Sequence, residues 1–240
     1  MVARESQLVA LVDAHGAATG SCTVAEAHTA PGRLHRAFSV MLLDDLGRAL
    51  IQQRAAEKTR FALRWANACC GHPASGQTVF DAAAQRLIEE IGVHGVTLHQ
   101  AGVHLYRAED PQTGRVEHEY DHVLVGRVPV DPRLHLDTAE VADVRWLAPD
   151  WLRVDLADNP DRYAPWMGGV LAVATEAACR RPPHSPSRRP ATPRPPAVSC
   201  RGWPGSGGAA GLECRRDVEG APTSRRSPTA AASSAPRSAR

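Results

Sequence analysis

Five side chains of metal-ligating type stand in three stretches of a 240-residue chain. His28 and His35 are seven residues apart in Ala27-His-Thr-Ala-Pro-Gly-Arg-Leu-His35, with a Pro-Gly turn between them. That turn can bring both imidazoles together at the entrance to a strand. His72 sits in a second turn, Cys69-Cys-Gly-His-Pro73. Glu117 and Glu119 are two apart in a run that reads as a strand, so both carboxylates project from one face. Like charges so placed repel unless a cation lies between them. Three imidazoles and two carboxylates suit a borderline divalent ion such as Mn²⁺, Zn²⁺ or Mg²⁺, although the same residues also fit a set of unrelated groups at the core edge. Cys70 is a candidate nucleophile or acid/base, held at a loop tip by Gly71-His72-Pro73. Most cysteines are inert small core residues; Cys69 fits that role, and on its own Cys70 fits either.

The elements that must position these groups read as one compact α/β domain over residues 1–180. Hydrophobic residues make up 43% and charged residues 22%, a globular composition that excludes disorder over the whole length. Gln7 to Asp13 and Arg36 to Leu43 read as strands. The turn Asp44-Asp-Leu-Gly-Arg48 leads into Ala49 to Arg54, which makes a hairpin. Val79, Ala82, Ala83, Arg86, Leu87 and Glu90 recur at helical steps, which predicts a helix from Thr78 to Ile91 ended by Gly92. Strands are expected over Ala101–Arg107 and Glu117–Val128, and a short helix near Trp151 after Val144-Arg-Trp-Leu. A final helix is expected from Tyr163 to Cys179, with Pro165 in its first turn. Strands and helices in this mixed order predict a mixed sheet between helices.

No apolar run approaches the ~20 residues that span a bilayer, so no membrane partner is expected. The N-terminal residues lack the apolar stretch of a secretory signal, and the six cysteines form no CxxC pair. Both features predict a cytoplasmic protein with reduced thiols. Residues 181–240 differ sharply in composition. They hold 11 of the 19 prolines and a net charge of +8, which leaves −6 for residues 1–180 and makes the overall +2 an average over unlike parts. Without apolar periodicity such a segment does not offset the entropy of ordering, so a disordered Pro/Arg/Ser/Ala-rich tail is expected. Aromatic residues for base stacking are missing apart from Trp203, which argues against a nucleic-acid partner.

The motifs, in order, are Ala27-His-Thr-Ala-Pro-Gly-Arg-Leu-His-Arg-Ala-Phe-Ser39, Cys70-Gly-His-Pro73, Arg86-Leu-Ile-Glu-Glu-Ile-Gly-Val93, Tyr106-Arg-Ala-Glu-Asp-Pro111, Val116-Glu-His-Glu119 and Ala164-Pro-Trp-Met167. Together they resemble the type 1 isopentenyl-diphosphate delta-isomerases, members of the Nudix superfamily, over about residues 6 to 180. The resemblance implies a Nudix-type mixed β-sheet sandwiched between helices. It also implies interconversion of isopentenyl and dimethylallyl diphosphate by a 1,3-allylic proton shift, with an isoprenoid diphosphate as the small-molecule partner. Carried over, Cys70 and Glu119 are the acid/base pair, Tyr106 supports Glu119, and Trp166 steadies a carbocation through its ring face. His28, His35, His72, Glu117 and Glu119 match the family's metal site. Glu90 matches a carboxylate that helps hold Mg²⁺ on the diphosphate, and Arg54, Lys58 and Arg86 match diphosphate contacts. Lys58 is the only lysine in the chain.

Three departures accompany the resemblance. Val24 stands where the family commonly has a lysine, a gap that Arg33 or Arg64 could fill. Phe61-Ala-Leu-Arg-Trp-Ala-Asn67 replaces an aromatic-Pro-Gly-x-Trp pattern. Gln77, Gln85 and Arg86 differ from the polar positions of the general Nudix box Gx5Ex7REUxEExGU. A Nudix diphosphate hydrolase and a non-catalytic diphosphate-binding homologue are the competing readings. The first leaves Cys70, Glu119 and the histidines unexplained; the second expects acid/base residues to be lost, and both are present.

Overall fold

A computed structural model describes residues 2–180; the expected tail, 181–240, lies outside the described residues. The described chain opens with a single helical turn, α1 (Val2–Glu5), and an antiparallel pair, β1 (Leu8–Val12) and β2 (Ala18–Thr23). The short helix α2 (Val24–Ala27) starts with a capping box between Thr23 and Glu26 and stops at His28. β3 (His35–Asp44) and β4 (Ala49–Arg54) follow as the expected hairpin. After them come β5 (Trp65–Asn67), β6 (Cys69–Gly71) and α3 (Val79–Ile91). Thr78 caps α3, and Gly92 ends it at φ 70°, a left-handed position that glycine adopts without a Cβ clash. β7 (Leu98–Glu109), β8 (Val116–Val128), β9 (Val141–Leu147), α4 (Pro149–Asp158) and α5 (Met167–Arg180) complete the described part.

The strands form one mixed sheet with β3 at its centre, paired to β1, β4, β6 and β8. The β3–β8 pair is parallel and runs from His35 opposite Glu119 to Asp44 opposite Val128. The other strand pairings are antiparallel. Alternation along β3 explains why it is buried on both sides. Phe38, Val40 and Leu42 meet Ala82, Ala83, Leu87 and Ile91 of α3 on one face. Met41 meets Met167, Val170 and Leu171 of α5 on the other. The expected mixed sheet between helices is therefore the observed architecture.

Three local expectations need correction. Cys70 is not at the tip of a turn: Cys69–Gly71 is a strand, with Cys70 opposite Ser39 of β3. The last helix begins at Met167, not Tyr163, because Tyr163 is extended and forms a parallel bridge with Trp65. The Ala164 amide donates to the Trp65 carbonyl, and the Tyr163 hydroxyl is held by Asp155, so tertiary partners override the helical pattern and Pro165 lies outside the helix. β2 is an unexpected strand, mostly exposed and lacking the alternation that marks a half-buried one.

The altered segment before Trp65 has a backbone cost. Leu63 occupies the position of the missing glycine at φ 59°, and its side chain is 53% exposed. A left-handed non-glycine residue costs about 1–2 kcal/mol, and an exposed leucine recovers little of that by burial. Leu63→Gly is therefore expected to leave stability unchanged or raise it by up to about 1 kcal/mol, after glycine's own entropy cost. Urea unfolding checks this; a loss above about 1 kcal/mol would show that Leu63 packs more than its exposure indicates.

Candidate active site

The five candidate ligands converge although they come from four segments. His28 ends α2, His35 opens β3, His72 follows β6, and Glu117 and Glu119 lie on one face of β8. Their ligand atoms all lie within 4.8 Å of one another. The register explains part of this, since His35 and Glu119 are direct partners in the parallel pair. Two rings are fixed from outside: Nδ1 of His28 donates to the Val24 carbonyl and Nδ1 of His35 to the Arg33 carbonyl, each at 2.7 Å. A ring nitrogen facing a carbonyl carries a proton, so both rings are oriented with Nε2 directed inward. There Nε2 of His28 is 2.8 Å from Glu117 Oε2, and Nε2 of His72 is 2.9 Å from Glu119 Oε1 and 3.1 Å from Nε2 of His35.

The electrostatics are those of a cation site. Burial, together with the neighbouring histidines, pulls His72 down to about 4. Burial and Glu117 push Glu119 up, but hydrogen bonds to His35 and His72 outweigh them and hold it at about 2. Glu117 is also held well below the usual range, with His28 and Arg60 overcoming burial. Asp121, next in the same row, goes the other way: burial and the Glu119 charge push its carboxyl well above that range. Inward imidazole nitrogens and two buried carboxylates within 4.8 Å of one another fit a divalent ion.

Beside this cluster a cleft of about 250 Å³ is lined by Cys70, Glu119, Tyr106 and Trp166, and by Arg54, Lys58 and Arg86. Burial pushes the Cys70 thiol up to about 12, against the pull of Arg54, whose Nη1 is 3.8 Å from Sγ. The Tyr106 hydroxyl donates to Glu119 Oε2 at 2.7 Å. Burial and then the Glu119 charge hold that phenol well above its ordinary range, so it stays a donor. Indole Nε1 of Trp166 donates to Asn67 at 3.0 Å, and the Arg54 guanidinium stands 5.3 Å from the indole centroid. The ring face thus already accommodates a cation. His28, His35 and Glu90 lie behind the cleft wall.

A second charged group adjoins the cleft. Glu90 is buried, accepts from Gln52 at 3.0 Å and pairs with Arg86, with Lys58 Nζ 3.9 Å away. It does not join the five-ligand cluster. Glu140, a residue without a sequence signal because it stands alone in a loop before β9, holds the cations together. It pairs with Lys58, with Arg86 at 3.4 Å and with Arg4 at 2.7 Å. Val24 faces this cleft. Neither Arg33 nor Arg64 fills the gap: Arg33 lies near Cys22 and Glu26, and Arg64 near Asp110. Arg4 and Arg60 line the cleft instead.

Comparison with known proteins agrees with this geometry. The NUDIX domain family matches residues 33–170. A protein of Nocardia farcinica called isopentenyl-diphosphate Delta-isomerase is 57% identical over 169 residues, which cover 70% of this chain and 95% of the relative. The chain belongs to the isopentenyl-diphosphate Delta-isomerase family. A Streptomyces coelicolor protein of the same name is 44% identical over 173 residues, covering 72% of this chain and 86% of its own. A crystal structure of a Deinococcus radiodurans protein superposes with a TM-score of 0.56 at 17% identity, over 69% of this chain and 98% of that one, a likeness of fold. On α3, Arg86 pairs with Glu89 and Glu90, and Gln85 donates to Glu89 at 2.7 Å.

Proposed function

We propose that this chain interconverts isopentenyl diphosphate and dimethylallyl diphosphate by a metal-dependent 1,3-allylic proton shift. The observation that carries the reading is one cleft lined both by Cys70, Glu119, Tyr106 and Trp166 and by the cations Arg54, Lys58 and Arg86. Lys58, Arg86 and Arg54 bind the diphosphate and orient the five-carbon chain toward Trp166. One member of the Cys70/Glu119 pair gives a proton to the terminal methylene carbon, leaving a tertiary carbocation at C3. The other member takes a proton from C2, and the electron pair of that C–H bond forms the new double bond. The pair gains and loses one proton overall, and its roles exchange in the reverse direction. Trp166 presents its ring face to the cation, worth about 1–2 kcal/mol when desolvated. The buried walls exclude water that would capture the cation.

In this reading His28, His35, His72, Glu117 and Glu119 hold a divalent ion, which as a Lewis acid fixes the Glu119 carboxylate and tunes its proton affinity. Three imidazoles suit Mn²⁺ or Zn²⁺ better than Mg²⁺. Glu90 helps hold Mg²⁺ that arrives on the diphosphate. Incubation with isopentenyl diphosphate and Mg²⁺ in D₂O tests the reading. Deuterated dimethylallyl diphosphate is the expected product; release of phosphate or diphosphate, or unchanged substrate, overturns it.

The cation group makes a separate prediction. Lys58→Met removes one charge-assisted contact, worth about 1.5–3 kcal/mol or roughly ten- to a hundredfold in binding. The diphosphate lies away from the reacting carbons, so the loss is uniform between ground and transition state. Steady-state kinetics should show a raised KM with kcat changed less than about threefold. A fall confined to kcat would place Lys58 with the chemistry instead.

A further inference from the structure

Tyr106 owes its position to a residue that the cleft does not expose. His104 stands two residues earlier on the same face of β7. Its ring stacks on Tyr106 with centroids 5.1 Å apart and planes 9° from parallel. The other side of His104 meets the first turn of α5 at Gly169. A Cβ on Gly169 would fall 2.2 Å from both Cε1 and Nε2 of the imidazole, so a side chain at 169 would force the ring to move. Helical glycine costs roughly 0.5–1 kcal/mol relative to alanine, which gives the position a physical reason to be something else unless the space is needed. Trp166, three residues before Gly169, lies 6.0 Å from Tyr106. Tyr106 therefore has two ring neighbours: His104, which abuts the α5 backbone at Gly169, and the Trp166 indole.

We infer that His104 is a positioning residue: it fixes the Tyr106 ring so that its hydroxyl stays on Glu119, and Gly169 is the space that admits it. His104 does not line the cleft, so it acts through Tyr106 rather than on substrate. Without the stacked ring, Tyr106 loses a neighbour and its side chain can leave the angle that the 2.7 Å hydrogen bond requires. Misplacement of this kind by about 1 Å costs up to about a hundredfold in rate. The inference rests on reading Glu119 as one of the proton-transfer groups.

The test is a double-mutant cycle with a readout independent of turnover. His104→Ala should lower kcat roughly tenfold and leave KM within about twofold, because the diphosphate contacts are untouched. His104→Phe keeps a flat ring without a titratable nitrogen and should restore kcat to within about twofold. In a Tyr106→Phe background, His104→Ala should have no further effect on kcat. Gly169→Ala alone should mimic His104→Ala, whereas adding it to His104→Ala should cost nothing, since the space is then free. Independently, 3-fluorotyrosine labels the three tyrosines, and loss of a line in Tyr106→Phe assigns the Tyr106 resonance. That line should be sharp in the parent and in His104→Phe, and displaced or broadened in His104→Ala. Unchanged kcat in His104→Ala, an equal loss in the Tyr106→Phe background, or an unmoved fluorine line overturns the inference. A parent protein without isomerase activity overturns the reading of Glu119 instead, and the fluorine line still decides whether His104 positions Tyr106.

Discussion

Cys70→Ala and Glu119→Gln are each expected to lower turnover by at least ~10³-fold, within the range that a positioned acid or base supplies. Tyr106 is a poor proton donor to carbon, with its phenol held well above its ordinary range by burial. The adjacent thiol is on the wrong side. Strand alternation turns Cys69 into the core beneath α3, with Phe38 and Leu87, while Cys70 faces the cleft. Cys69→Ala should therefore keep turnover within about twofold and show only the modest stability loss of a trimmed core residue. Product formation from isopentenyl diphosphate measures all three variants. A dead Cys69→Ala with an active Cys70→Ala would mean that β6 is one residue out of register.

The second large effect concerns the ion. Purified protein should carry about one tightly held divalent ion per chain, and His72→Ala should release most of it, because losing one ligand from such a set weakens binding strongly. His118 provides the control. It lies between Glu117 and Glu119 but points to the other side of β8, with Nδ1 3.5 Å from the Gly32 carbonyl. His118→Ala should leave the ion in place. Elemental analysis of the two variants side by side gives the answer. Full occupancy in His72→Ala, or loss in His118→Ala, would count against the assigned ligand set.

The helices and long strands were legible wherever periodicity and punctuation agreed. Thr78 and Gly92 bracket a run with helical spacing, and both ends of α3 fall where those residues place them. The turn from Asp44 to Arg48 likewise fixed the β3–β4 hairpin. What stayed hidden depends on partners distant in sequence. Tyr163 fits a helical run, but its bridge to Trp65 and its bond to Asp155 come from other parts of the fold. Cys70 reads as a turn because strand β6 is only three residues long and exists through its pairing to Ser39. The candidate ligands were legible because their residue types are distinctive and Glu117 and Glu119 share a strand face. Glu140, Arg4 and Arg60 carry no spacing signal; only the folded chain brings these ordinary charged residues to the cleft. Gly169 gave no sign of its purpose, since the sequence does not show that an imidazole lies against it.

The parallel pairing of β3 and β8 also governs when the site comes into being. His35 and Glu119 meet at a sequence separation of 84. Contacts of such long sequence separation pay their loop-closure entropy before they are rewarded, so they form late and slowly. Each local hairpin can close before the ligands from β3 and β8 are in place. An ion that needs ligands from both strands binds the finished fold and not the earlier ensemble, so it acts on the escape rate from the native state more than on the rate of arrival. Chelation should accordingly raise the unfolding arm of a chevron plot, leaving its slope and the refolding arm near their original positions.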